Sequence, residues 1–299
     1  MIRTVGRLAL VGAACFAYGL VVESRSFRLR RVNVPVLPAG APRLRVLHIS
    51  DAHLLVRNHA RARFIANLAA LEPDLVVNTG DNVAQAEAID VLTHSLGRLL
   101  DVPGVFVMGS NDYTGPTFRN PLAYLVRSTE GENQSELTQL PTDRLRAALS
   151  SGGWHDLTQA KLTLNLLGMR IELRGTDDAH LRLDDYAAVA GPPAKKVQLA
   201  IGVTHAPYRR VLDAMTADGV RLIFAGHTHG GQVCVPGYGA LTTNCDLEAA
   251  RVKGLSKHKA AGRTSYLHVS AGLGMSPLAP YRFACPPEAT LLTLTPSNG

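Results

Sequence analysis

Five short segments of this chain bring together residue types that bind metals. Asp51-Ala-His53, Gly80-Asp81, Gly109-Ser-Asn111, His205 and Gly226-His-Thr-His229 supply two aspartates, an amide and four histidines. Carboxylate and amide oxygens mixed with imidazole nitrogens suit Mn²⁺, Fe or Zn²⁺ rather than a thiolate zinc site. Two histidines at i and i+2 on an irregular turn can aim at one point, and the glycines around them leave room for something bound close to the backbone. Each group taken alone has an ordinary structural use. Asp51 would serve as a helix cap and His205 as a hydrogen-bonded core histidine. Taken together they argue for one site, because each lies at the end of an apolar run that reads as a strand.

Those runs are residues 44–50, 73–79, 104–108, 198–203 and 220–225. Helical periodicity over 60–71 and 87–100 separates the first three, and 213–219 reads as a helix closing on glycine before the last. A strand, polar turn and helix repeated in this way argue for an α/β fold with a mostly parallel sheet. Functional groups gather at the carboxyl ends of such strands. Residues 162–166 and 169–173 alternate as antiparallel strands around Leu167-Gly168, residues 141–149 open a short helix, and 265–270 and 289–294 add two strands. The polar stretch from Thr114 to Pro141 breaks the rhythm and has the length of a lid, a substrate wall or a partly disordered loop.

The formal charge of +7 would suit a nucleic-acid partner, but its location argues otherwise. Six arginines against the single acid Glu23 put five of those seven charges in residues 1–35. The remainder is near neutral, so no nucleic acid is expected. Between Arg7 and Glu23, Leu8 to Val22 carries no charge, yet it is shorter than the roughly 17–25 residues of a comfortable membrane span. Residues 1–31 read as an uncleaved signal anchor with a basic collar against anionic headgroups. A cleaved signal, giving a secreted form, and a peripheral apolar helix are the alternatives. Arginines on both sides leave the orientation open. The proline-rich residues 32–43 read as a linker, and 44–299 as the catalytic domain. Of the four cysteines, none has metal-knuckle spacing. Isolated buried thiols are the expectation, with Cys245–Cys285 a pairing open to an exported domain.

The order and wording of these motifs resemble the calcineurin-like metallophosphoesterases from about residue 44 to the C-terminus, most specifically at Ser50-Asp-Ala-His-Leu54, Asn78-Thr-Gly-Asp-Asn82 and Gly226-His-Thr-His-Gly-Gly-Gln232. The N-terminal apolar segment, Gly175-Thr-Asp-Asp-Ala-His180 and the tail at 272–289 look closest to the membrane-anchored bacterial branch. The resemblance implies a four-layer α/β/β/α sandwich and a hydrolase that uses two divalent metals to activate a bridging hydroxide. Asp51, His53 and His229 would hold the first ion, with Asp81 shared. His205, His227 and an amide from the third motif would hold the second. That motif normally reads Gly-Asn-His-Asp/Glu in the family; here Ser110 stands at the amide position and Asn111 at the histidine position. A serine hydroxyl is a poor ligand, so Asn111 is expected to fill the ligand place. His180, following Asp177 and Asp178, is the candidate replacement for the missing acid. The substrate expected is a phosphodiester or pyrophosphate, and an anchored site points to lipid-linked or envelope phosphoesters. The alternative from another class is a non-catalytic metal-binding scaffold of the same fold.

Overall fold

The computed structural model describes residues 2–116 and 137–297. The segment expected to act as a lid or substrate wall lies mostly outside the described residues. Two six-stranded sheets pack face to face. The first has the strand order β1 (Arg28–Leu37), β14 (Glu288–Pro296), β2 (Leu44–Ile49), β3 (Leu75–Asn78), β4 (Gly104–Phe106) and β5 (Trp154–Asp156). The second has the order β12 (Gly254–Ala260), β13 (Arg263–Val269), β9 (Leu222–Ala225), β8 (Leu199–Val203), β7 (Met169–Gly175) and β6 (Ala160–Leu166). β2 to β5 run parallel, as do β13, β9, β8 and β7. β14 is antiparallel to β2, and β12 and β6 form antiparallel edges. A two-stranded hairpin, β10 (Cys234–Val235) with β11 (Gly239–Ala240), stands apart.

The central strands are continuous apolar runs because both of their faces are covered. Val46, Leu75, Val77 and Val105 of the first sheet meet Ile171, Leu173, Ile201, Leu222 and Phe224 of the second. The other face of the first sheet is covered by α2 (His59–Asn67), α3 (Ala88–Leu96) and α5 (Thr142–Ser151) through Ile65, Ile89, Leu92, Leu145 and Leu149. The second sheet is covered by α6 (Arg209–Asp218), which turns Val211, Leu212 and Met215 inward and closes on Gly219 at φ +96°. Helix, sheet, sheet and helix make the four layers expected. The third motif forms the single turn α4 (Ser110–Tyr113).

The linker reading of 32–43 does not hold. Residues 28–37 are strand β1, paired in parallel with β14, and bury Val34, Val36 and Leu37. Pro35 masked the strand in the sequence. An edge position tolerates it, and the register shifts just beyond it. β5 and β12 were also not anticipated.

The N-terminal segment forms α1 (Ile2–Val21). Phe16 packs on Tyr281 and Tyr18 on Phe283, while the Glu23 carboxylate accepts the backbone N–H groups of Ala284 and Cys285. Among the described residues, no helix is long and apolar enough to cross a membrane. All four cysteines are free. Cys285 lies in one buried cluster with Cys234, while Cys245 packs with another, so a Cys245–Cys285 pairing has no support.

Candidate metal centre

The first three motifs follow β2, β3 and β4, and those bearing His205 and His227 follow β8 and β9, so the carboxyl ends of two parallel sets meet at one edge of the sandwich. The turns there are tight. Asp51, His53, Asp81, His227 and His229 all have φ between +39° and +69°. Side chains rarely adopt that conformation, which costs on the order of 1–3 kcal/mol per residue and concentrates at functional sites.

The ligand atoms of Asp51, His53, Asp81 and His229 all lie within 4.8 Å of one another. His53 Nε2 is buried without a hydrogen-bond partner, 3.3 Å from Asp81 Oδ2. His229 Nδ1 meets the Gly274 carbonyl at 3.1 Å, which fixes that nitrogen as the donor and leaves Nε2 as a lone pair 3.8 Å from Asp51 Oδ1. His205 is set in the same way. Its Nδ1 donates to the Thr79 carbonyl at 2.6 Å, and Nε2 faces Asp81 Oδ2 at 3.5 Å and His227 Nδ1 at 3.3 Å. His227 Nε2 meets the Asn244 carbonyl at 3.2 Å. Imidazoles pinned on one nitrogen with the other turned toward carboxylates suit a divalent cation, and the orphaned His53 Nε2 suits it as well.

Charge supports this arrangement. Burial pushes the Asp81 carboxyl up, but the His205 and His53 imidazoles outweigh it and hold the group well below the usual carboxylate range. Burial opposes protonation of His205, yet Asp81 draws it well above its ordinary value, so this pair attracts positive charge. Burial and then neighbouring histidines hold His227 and His229 well below theirs, leaving lone pairs for a ligand.

Asn111 lies against the Asp81 carboxylate. Its backbone N–H donates to Asp81 Oδ1 at 2.8 Å and its amide to Oδ2 at 2.8 Å, while Ser110 Oγ is 3.4 Å from the same amide nitrogen. Gly109 is required for space, since a Cβ there would stand 2.3 Å from Asp81 Oδ1. His180 sits next to His227, with ring centroids 4.5 Å apart. The aspartates before it do not hold its ring as expected. Asp178 accepts its backbone N–H, Asp177 accepts the Tyr113 hydroxyl, and the ring Nδ1 is paired with the Tyr208 hydroxyl at 3.0 Å.

Asp112 was missed by the sequence reading. Its carboxylate accepts the backbone N–H groups of Asp81, Asn82 and Gly109, which ties the second and third motifs together. Burial and the nearby Asp81 charge push its carboxyl up to about 6. A fourth acidic position in the third motif was the available signal.

A family profile described as calcineurin-like phosphoesterase matches residues 44–231. Among curated relatives, an uncharacterized metallophosphoesterase, YkuE, from Bacillus subtilis is 26% identical over 97% of this chain and 93% of its own length. A transmembrane protein with metallophosphoesterase domain from Danio rerio is 26% identical over 76% of this chain and 50% of its own. A solved 5'-nucleotidase precursor from Thermus thermophilus aligns with a TM-score of 0.46 and 18% identity, over 84% of this chain and 55% of that one.

Proposed function

This chain belongs to the calcineurin-like phosphoesterase family, and on that premise we propose that it is a dinuclear phosphodiesterase or pyrophosphate-cleaving hydrolase. One observation carries this reading: a single oxygen, Asp81 Oδ2, is shared by His53 Nε2 at 3.3 Å and His205 Nε2 at 3.5 Å. The two imidazoles belong to separate pairs, His53 with His229 and His205 with His227. In this reading Asp51, His53 and His229 hold one divalent ion, and His205, His227 and the Asn111 amide hold the other. Asp81 serves both.

Divalent ions held there would polarise the phosphoryl oxygens and supply a water-derived nucleophile at neutral pH. The chain's own part is preorganisation. Backbone carbonyls fix the ring orientations, burial excludes bulk water, and the Asn111 amide occupies the third-motif position beside Asp81. His180, paired with the Tyr208 hydroxyl and packed beside His227, is the candidate proton donor to the leaving oxygen. Because the third motif offers an amide instead of a histidine, the site suits leaving groups that need little protonation. Diesters and pyrophosphates of stabilised leaving groups fit that condition. The expected result is metal-dependent turnover of bis-p-nitrophenyl phosphate that exceeds turnover of p-nitrophenyl phosphate. The reverse order would reject the diester preference.

The N-terminal segment exposes Leu10, Val11 and Phe16 on α1 and Arg25, Arg28 and Arg31 after it. This supports peripheral contact with an anionic lipid surface and hence lipid-linked phosphoesters. Co-sedimentation with phosphatidylglycerol vesicles but not phosphatidylcholine vesicles is the expected result.

A further inference from the structure

We propose that a buried chain of side chains, His268–His48–Thr79–Ser50, positions the Asp51 carboxylate for metal binding. This inference rests on the reading of Asp51 as a ligand. The links are continuous: the Ser50 hydroxyl meets Asp51 Oδ2, Thr79 Oγ1 meets Ser50 Oγ at 2.6 Å, His48 Nε2 meets Thr79 Oγ1 at 3.0 Å, and His48 Nδ1 meets His268 Nδ1 at 2.8 Å. None of the five residues is more than 1% exposed. His48 and Ser50 belong to β2 and its end, Thr79 follows β3, and His268 comes from β13 of the opposite sheet. The chain therefore crosses the layer between the sheets, beside an apolar core.

Its polarity follows from the donors available. A carboxylate only accepts, so Ser50 donates to Asp51. The single hydroxyl proton of Ser50 is then spent, and Ser50 accepts from Thr79. Thr79, its own proton spent, accepts from His48 Nε2–H. A neutral His48 then has a bare Nδ1, which accepts from His268 Nδ1–H. Burial keeps both rings neutral, pushing His48 well below its ordinary value and His268 down to about 3. Every bond in the series points toward Asp51 Oδ2, and each polarises the next. The backbone N–H of His227 lies 3.0 Å from Oδ1 and 3.1 Å from Oδ2, and Oδ1 faces His229 Nε2. The carboxylate is thus fixed in rotation before any cation arrives.

Gly226 supplies an independent observation. A Cβ on it would stand 2.0 Å from Ser50 Oγ, 2.5 Å from Asp51 Oδ2 and 3.0 Å from Thr79 Oγ1. The glycine that opens the Gly-His-Thr-His motif is needed for the room it leaves this chain.

The test uses the full-length protein and three variants: Thr79→Val, which keeps the shape and removes the hydroxyl, Thr79→Ser and Asp51→Asn. Long-range ¹H–¹⁵N spectra of the metal-free wild type should show His48 as the Nε2–H tautomer and His268 as Nδ1–H. The opposite tautomer at His48 overturns the proposed polarity. Mn²⁺ and Zn²⁺ affinities are read by competition with a chromophoric chelator. Thr79→Val should bind ~10- to 100-fold more weakly and Thr79→Ser should restore binding, the range expected for groups that orient a ligand. Wild-type affinity in Thr79→Val, beside a loss in Asp51→Asn, overturns the positioning role alone. Wild-type affinity in Asp51→Asn rejects Asp51 as a ligand, and with it the reading on which this inference rests.

Discussion

The Asp112 carboxylate accepts the backbone N–H of Asp81 at 2.8 Å, so the residue proposed to serve both metals is held from behind by a second buried acid. An amide cannot reproduce the whole set of contacts, because with its oxygen toward Asp81 and Gly109 its NH₂ would confront the Asn82 backbone N–H that Asp112 now accepts. Asp112→Asn is expected to keep the fold by circular dichroism and to weaken metal binding by ~10- to 100-fold, measured by isothermal titration. Unchanged affinity would remove Asp112 from the site's support.

Gly226→Ala tests the crowding at the head of the histidine motif. The added methyl collides with Ser50, Asp51 and Thr79, all of them buried. Overpacking of this kind costs on the order of 1–3 kcal/mol, read from urea denaturation of the metal-free protein. Gly12→Ala, with nothing within 4 Å of its Cβ and a helical position in α1 that alanine favours, is the control and should not destabilise the protein.

Stability should depend on pH through the two histidines between the sheets. Burial lowers His268 to about 3 and His48 well below its ordinary value. In the unfolded chain each titrates near ~6.5. Below that pH the unfolded chain binds protons that the folded chain refuses, so their contribution is complete above ~6.5 and is lost as pH falls toward 3. Denaturation curves between about pH 7.5 and 4 should show stability falling with acidity. The slope should be shallower in His268→Leu. An equal slope in the variant would mean that His268 is protonated in the folded state.

Removing residues 1–43, the natural cut if 32–43 were a linker, should be costly. It deletes β1, strips Val34, Val36 and Leu37 from the inter-sheet core, and leaves β14 as an open edge. The truncated protein is expected to aggregate or to melt well below the full chain in differential scanning calorimetry. A truncation with an unchanged melting temperature would contradict the packing of β1.

Much of this was legible in the sequence because parallel sheets collect their functional groups at strand ends. Asp51, Asp81, His205 and His227 are visible as polar stops after apolar runs, and those runs are themselves the core. What was not legible depends on contacts distant in the chain. β1 was hidden because its arginines read as the basic collar of an anchor and Pro35 as part of a linker, and only pairing with β14 makes it a strand. His180 was assigned to its neighbours Asp177 and Asp178, whereas its ring partner is Tyr208 on the loop before α6. Ser50, Thr79 and Gly226 sit inside recognisable motifs, but their joint use appears only when β2, β3 and β9 converge.

In the proposed function Asp81 serves two metals in a working phosphodiester hydrolase. The most direct measurement strips the full-length protein of metal and reloads it with Mn²⁺ or Zn²⁺. Bound ions per chain and turnover of bis-p-nitrophenyl phosphate are then determined beside Asp81→Asn. Two ions and metal-dependent turnover are expected in the wild type, with fewer ions and lost turnover in a folded Asp81→Asn. Wild-type turnover in the variant, or a wild type that binds no metal, would contradict it.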